Sequence, residues 1–293
     1  MKKIKKAIIA AAGYGTRFLP ATKNVQKEML PIIDKPVIQY LVDELVESGI
    51  EEIIVVKRPF YNSIVNYFKP SLELEELLKK SGKTEFLEMV RKIPQMAKFH
   101  FIDQDENLPY GNGSPLLSAK HLIDDGESFV YMFGDDLVIS EIPATKQLID
   151  VFNKENPKAI LAVQEVPWDE IYRYGSVKYK KSTGYKYEIE GLFEKLPKEK
   201  AYSNSAQFGR FVFTYDIFET AKNQKTGKGN ELWLADMINT LAQNKEKVIA
   251  QPIDGLWLTT GDPLRFVKAT IKFALERNDI KKDLLTFLKE EII

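Results

Sequence analysis

Short, β-branched apolar runs alternate with segments of helical periodicity from the start of the chain. Ile4–Ala11 is short and, past Lys5-Lys6, apolar, and it leads into Gly13 and Gly15, as expected of a strand buried on both faces. Val37–Ser48 sets Ile38, Leu41, Val42, Leu45 and Val46 at helical spacing and runs into Gly49, a residue suited to capping a helix C-terminus. Glu52–Val56 is a second apolar run. Strand, loop, helix, strand is the repeating unit of an open parallel sheet.

The alternation continues. Strands are predicted at Phe99–Asp103, Phe129–Phe133, Ala159–Val166, Arg210–Thr214 and Val248–Pro252. Helices are predicted at Tyr61–Phe68, Ser114–Leu122, Ala144–Asn153, Tyr215–Asn223, Glu231–Gln243, Leu264–Arg277 and Leu284–Glu291. Leu72–Ile93 is long, charged and amphipathic and reads as a solvated helix pair. Tyr174–Glu194 alternates around Ser182-Thr183-Gly184 and reads as an antiparallel ribbon. With no repeat, low-complexity tract or clear linker, the pattern predicts one α/β domain over residues 1–262. Its sheet is mixed and mainly parallel, and residues 263–293 form a C-terminal helical piece.

Composition narrows the chemistry. The chain has 293 residues, 44% of them hydrophobic, enough for one sizeable core. Acids and bases balance at 42 each, so general attraction to nucleic acid or anionic membrane is not expected. Cysteine is absent, which excludes disulfides, thiolate metal sites and cysteine nucleophiles. The two histidines, His100 and His121, fall on a strand and a helix and take no role. The lysines before Ala7–Ala12 precede an apolar run too short for a signal peptide, and no stretch nears the ~18 apolar residues of a membrane span. A soluble, cytoplasmic protein is expected.

Candidate chemistry begins where the first strand ends. In Ala11-Ala12-Gly13-Tyr14-Gly15-Thr16-Arg17, small residues allow backbone N–H groups to approach phosphate oxygens. The carboxyl end of a parallel strand is where such sheets bind ligands. The spacing fits neither a P-loop nor a dinucleotide fingerprint. Taken alone, the glycines are equally compatible with a plain tight turn. Arg17 adds a planar fork for two oxygens and Lys27 a point charge, a combination suited to a polyphosphate.

Residues 7–36, AIIAAAGYGTRFLPATKNVQKEMLPIIDKP, resemble the signature of bacterial UTP–glucose-1-phosphate uridylyltransferases, G-x-G-T-R-F-L-P-A-T-K followed by P-K-E-M-L-P. The likeness continues in order along most of the chain, including the charged helical insert. It implies a single Rossmann-like nucleotidyltransferase domain with a sugar-binding part at about 159–255, and a C-terminal piece that is a possible oligomerisation element in a homodimer or larger homo-oligomer. The implied reaction makes UDP-glucose and pyrophosphate from UTP and glucose 1-phosphate with Mg²⁺. Arg17, Lys27 and Lys195 would be catalytic. Ala11, Ala12, Gly13, Gly15, Gln104, Gly111 and Asp136 would bind the nucleotide, and Asp135 the metal. Gly175, Glu194, Lys195 and Asn204 would face the sugar.

The chain departs from that pattern at three places. Gln26 replaces the proline before Lys27. The usual L-G-x-G-H-A is Tyr110-Gly111-Asn112-Gly113-Ser114-Pro115, which reshapes the base pocket and leaves dTTP or another sugar phosphate as an alternative substrate. Thr259 stands where a second metal-binding aspartate is usual, and a hydroxyl is a weaker, neutral ligand. Either Asp262 substitutes for it, the metal is held more weakly, or the chain is a regulatory relative.

Overall fold

A computed structural model describes residues 3–181, 184–222, 224 and 226–292. The first half follows the predicted alternation: β1 (Lys6–Ala11), a small hairpin of β2 (Pro31–Ile32) and β3 (Lys35–Pro36), α1 (Val37–Glu47) and β4 (Glu52–Lys57). α2 (Ser63–Tyr67), α3 (Leu72–Lys80), α4 (Thr84–Lys92), β5 (Lys98–Asp103), α5 (Ser114–Ser118) and β6 (Ser128–Phe133) follow. α1 buries Val37, Ile38, Leu41, Val42 and Leu45 against the sheet. It closes as expected: Gly49 takes φ 88°, its N–H donates to the Val46 carbonyl at 2.9 Å, and the Ile50 N–H donates to the Leu45 carbonyl at 3.0 Å. The predicted helix pair is broken at Gly82, whose φ is 70°.

The second half contains β7 (Asp136–Ile139), α6 (Ala144–Glu155), β8 (Ala159–Glu165), β9 (Gly175–Tyr179), β10 (Ile189–Glu194), β11 (Ser205–Thr214) and α7 (Ile217–Ala221). α8 (Leu234–Gln243), β12 (Val248–Pro252), β13 (Leu256–Thr259), α9 (Pro263–Glu276) and α10 (Lys281–Ile292) complete it. The main sheet has nine strands, running β10-β9-β11-β6-β1-β4-β5, with β8 paired to β11 and β12 to β8. β6, β1, β4 and β5 are mutually parallel, and β11 joins β6 antiparallel. The fold is thus the expected single α/β unit with a mixed sheet. Two apolar layers flank it, one under α1 and α6 and the other under α5, α7 and α8.

The differences from the sequence reading are local. β11 begins at Ser205 rather than Arg210, because its register shifts between Gln207 and Phe211 and the irregular stretch masks the strand pattern. α8 begins at Leu234, since Leu232 is held extended against the Tyr110 loop: its N–H donates to the Tyr110 carbonyl at 2.7 Å. α5 ends at Ser118 and passes into a single 3-10 turn at Lys120–Leu122. β7 and β13 pair with each other, a long-range contact with no local sequence signal. Ser182-Thr183 of the predicted ribbon turn, and Asn223 at a predicted helix end, lie outside the described residues. Among the described residues, no helix is long and apolar enough to cross a membrane.

Candidate active site

The carboxyl ends of β1, β5 and β6, the end of β10 and the segment before α8 enclose a cleft of about 410 Å³. Ala12, Gly13, Arg17, Lys27, Gln104 and Gly111 line it on the side of the parallel strands, with Asp135 and Asp136 in the turn after β6. Gly175, Glu194 and Lys195 line the opposite wall. A wider lobe of about 860 Å³ shares Arg17, Asp135, Tyr174, Lys195 and Thr259 and opens beside it. Ala11, Gly15 and Asn204 lie outside both walls. The Ala11 carbonyl accepts from Gln26 Nε2 at 3.4 Å, Gly15 at φ 63° accepts from the Thr22 hydroxyl at 2.7 Å, and the Asn204 amide donates to the Val166 carbonyl at 3.1 Å.

The glycine loop is anchored from two sides. Gln26, in place of the expected proline, is buried. Its Oε1 accepts from Ser63 Oγ at 3.0 Å and from the Ile64 N–H at 3.3 Å, which ties the loop to α2. Arg17 Nη1 donates to the Gly261 carbonyl at 3.0 Å, and Phe18 meets Phe266 of α9 edge-on at 5.6 Å.

Lys27 Nζ lies 2.6 Å from Asp135 Oδ2. Burial works against both charges, but the attraction wins. Lys27 is held above its ordinary pKa by Asp135 and Glu28, and Asp135 below its own by Lys27 and Arg17. Both carboxylate oxygens of Glu28 are buried without a hydrogen-bond partner among the described residues. Burial pushes that carboxyl up to about 7, against the pull of Lys27. Asp136 points away from this pair. Its Oδ1 accepts from Trp257 Nε1 at 2.7 Å and its Oδ2 from the Gly209 N–H at 2.9 Å, while burial and the charge of Asp135 push its pKa up.

At the far wall, Lys195 adopts φ 49° and its N–H donates to the Tyr174 carbonyl at 3.0 Å. Its ammonium sits 4.5 Å from the Trp233 ring centroid. Burial first, and then the carboxylates of Asp236 and Glu231, push Glu194 up to about 7 despite Lys195 beside it. The glycine loop, with Arg17 and Lys27, and a polar wall carrying Lys195 thus face each other across one cleft.

Comparison with known proteins decides what this cleft belongs to. The Nucleotidyl transferase family model matches residues 6–275. The chain belongs to the nucleotidyl transferase family. Within it the chain groups with bacterial UTP–glucose-1-phosphate uridylyltransferases. It is similar to one from Bacillus subtilis (strain 168), 43% identical with all of both chains covered. A UDP-glucose pyrophosphorylase solved in complex with UDP-glucose matches with TM-score 0.82 and 35% identity, over 94% of this chain and 100% of that one. A UTP-bound enzyme from Acinetobacter baumannii matches with TM-score 0.87 and 31% identity, over 98% and 99%.

Nucleotidyl transferases typically use a divalent metal. Among the described residues of this one, no group of three His, Asp or Glu side chains could hold an ion unaided. Thr259 lines the cleft, and its hydroxyl lies 3.3 Å from the Gly261 N–H and 3.5 Å from the Asp135 carbonyl. Asp262 is engaged elsewhere: it caps α9 through the Arg265 N–H at 3.1 Å and pairs with Arg265 Nη1 at 2.7 Å. The donor set therefore fits a hard cation that keeps waters and substrate phosphates, with a carboxylate from Asp135. The Glu28 carboxyl, buried without a hydrogen bond among the described residues and with Oε1 3.9 Å from Lys27 Nζ, adds two further oxygens beside it. Glu28, Arg173, Trp233 and Trp257 were not singled out in the sequence. Glu28 lies inside the matched QKEML stretch and Arg173 lies two residues before Gly175, whereas the tryptophans stand in no matched stretch.

Proposed function

We propose that this nucleotidyl transferase joins UTP and glucose 1-phosphate to give UDP-glucose and pyrophosphate, as a cytoplasmic enzyme. The observation that carries this is the cleft itself, with Lys27, Asp135 and Arg17 on one wall and Glu194 and Lys195 on the other. A phosphate oxygen of the sugar phosphate attacks the α-phosphorus of UTP. The bond to the bridging oxygen breaks and pyrophosphate leaves in line. No protein nucleophile is needed, because positioning and charge neutralisation supply the rate.

In this reading the Ala12–Gly13 backbone and Arg17 hold the nucleotide phosphates, and Lys27 neutralises charge at the reacting phosphorus. Lys195 holds the sugar phosphate, and Glu194 and Gly175 face the sugar. Gln104 and Gly111 face the base. Asp136 acts indirectly, by tying the Asp135 turn to Trp257 and Gly209. Asp135 would hold Mg²⁺, which when bound offsets charge on phosphate oxygens of both reactants. A homodimer or larger assembly through the C-terminal helices completes the proposal.

The Tyr110–Pro115 loop favours a second reading, the same transfer with dTTP or to another sugar phosphate. Thr259 in place of an aspartate favours a third, a regulatory relative. Pyrophosphate release measured with UTP or dTTP, Mg²⁺ and a panel of sugar 1-phosphates separates them. Release with UTP and glucose 1-phosphate above all other pairs is expected. Release with no pair would support the regulatory reading instead.

A further inference from the structure

The side chains of one exposed cluster at the mouth of the cleft have no role assigned above. Tyr110 lines the cleft, yet 54% of it is exposed. Its ring lies 5.9 Å from that of Tyr14, itself 58% exposed, at an interplanar angle of 47°. The Arg58 guanidinium covers the Tyr14 ring at 3.5 Å. The three residues come from the turns after β1, β4 and β5, at the carboxyl ends of adjacent parallel strands. They form a short ladder across the cleft mouth, beside Gln104 and the glycine loop.

The backbone under Tyr110 is held by hydrogen bonds while half of its side chain is exposed. The Tyr110 carbonyl accepts from the Leu232 N–H at 2.7 Å, and the Gly113 N–H donates to the Leu232 carbonyl at 2.9 Å. Asn112 is held by Tyr131 Oη on its carbonyl at 2.7 Å and accepts the Leu234 N–H on its side chain at 2.8 Å. Gly111, at φ 145°, has no room for a Cβ, which would stand 2.3 Å from the Leu232 carbonyl oxygen. The loop is thus clamped, and it leaves a half-exposed aromatic ring lining the cleft next to the glycine turn. A planar, uncharged ring attached to a polyphosphate matches that pair of features. A sugar matches less well, since its hydroxyls find Glu194 and Lys195 at the opposite wall.

We propose that Tyr110 is the stacking platform for the nucleobase, steadied from behind by Tyr14 and Arg58. The proposal rests on the nucleotidyl-transfer reading and deepens it. Stacking uses the face that every base presents, so it supplies affinity without choosing between bases. Base choice then falls to hydrogen bonds from groups such as Gln104.

The test is calorimetric titration of UTP and dTTP without sugar phosphate, paired with pyrophosphate-release kinetics, for the full chain and three variants. Tyr110→Leu is expected to raise Kd for both nucleotides by about tenfold, with the UTP-to-dTTP ratio and kcat nearly unchanged. Tyr110→Phe keeps the ring and should match the parent. Tyr14→Leu should weaken both nucleotides by less. Melting curves of these exposed-site variants should overlay the parent. Unchanged Kd in Tyr110→Leu, a loss confined to one nucleotide, or Tyr110→Phe as weak as Tyr110→Leu would each overturn the platform. A parent that binds UTP but releases no pyrophosphate would overturn the functional reading alone, and the Kd series would still decide the stack. A parent that binds neither nucleotide would overturn both.

Discussion

Lys27 and Asp135 define the site at the scale of single residues, and each answers for the other's charge. Lys27→Ala removes the cation nearest Asp135, and Asp135→Ala removes the acid that lowers the cost of burying Lys27. Each should reduce kcat by about 100-fold or more while the circular dichroism spectrum is kept. Near-parental rates would remove these residues from the mechanism. Thr259→Asp adds a carboxylate beside Asp135 and should lower the Mg²⁺ concentration for half-maximal rate; an unchanged Mg²⁺ curve would show that the hydroxyl already suffices.

Glu194 carries a pH dependence. Burial holds its carboxyl at about 7 in the folded chain, above the 4.5 of a free glutamate. Folding therefore takes up a proton between those values, and the group's contribution to stability declines as pH rises from about 4.5 to about 7. The ionised form is the better acceptor for sugar hydroxyls, so KM for the sugar phosphate should fall as pH rises through about 7. Glu194→Gln should flatten that part of the profile. Lys27, Asp135 and Glu194 were legible because their neighbours in sequence form recognisable stretches. The engagement of Asp136 was not, since it depends on Trp257 and Gly209 arriving from distant strands.

At the scale of elements, the least expected feature is the buried pair linking α1 to β11. Arg210, fully buried, donates from Nε and Nη2 to Glu44 at 2.9 and 2.8 Å, and from Nη2 to the Asp136 carbonyl at 2.7 Å. Glu44 also accepts from the Thr145 N–H of α6 at 3.0 Å. Glu44→Gln leaves a buried guanidinium unpaired and should cost about 3 kcal/mol in urea unfolding. Replacing both partners with methionine should recover much of that stability. Periodicity revealed α1 and most of the central strands, because one face or both of each are apolar. It was silent on Glu44, a charge on a helix whose partner is set by tertiary packing, and on β7 and β13, which are short and pair only with each other.

Across the whole molecule, one mixed sheet delivers its loops to the cleft, and α9 packs against the glycine loop through Phe266 and Phe18. α10 contributes little to the described core and exposes Leu285 and Phe287, while α9 exposes Leu264 and Val267. If these helices carry the proposed oligomer, light scattering should give a multiple of the 33.6 kDa chain. A chain ending at Ile280 should then show a smaller mass with nearly the same melting temperature. An unchanged mass would move the interface elsewhere.

The contacts of Arg17 with Gly261 and of Phe18 with Phe266 set an order of events during synthesis. A chain still on the ribosome can pair β1, β4, β5 and β6 well before residue 261 has been made. Until Gly261 emerges, Arg17 lacks that carbonyl partner, and until Thr260 emerges, Asp135 lacks the N–H that reaches its carbonyl at 2.6 Å. The sheet can therefore form before the Arg17 and Asp135 turns are secured. A product truncated before Thr259 would lack the partners of Arg17 and Asp135 and is expected to release no pyrophosphate, so on the proposed reading the residues made late are needed before those made early can work.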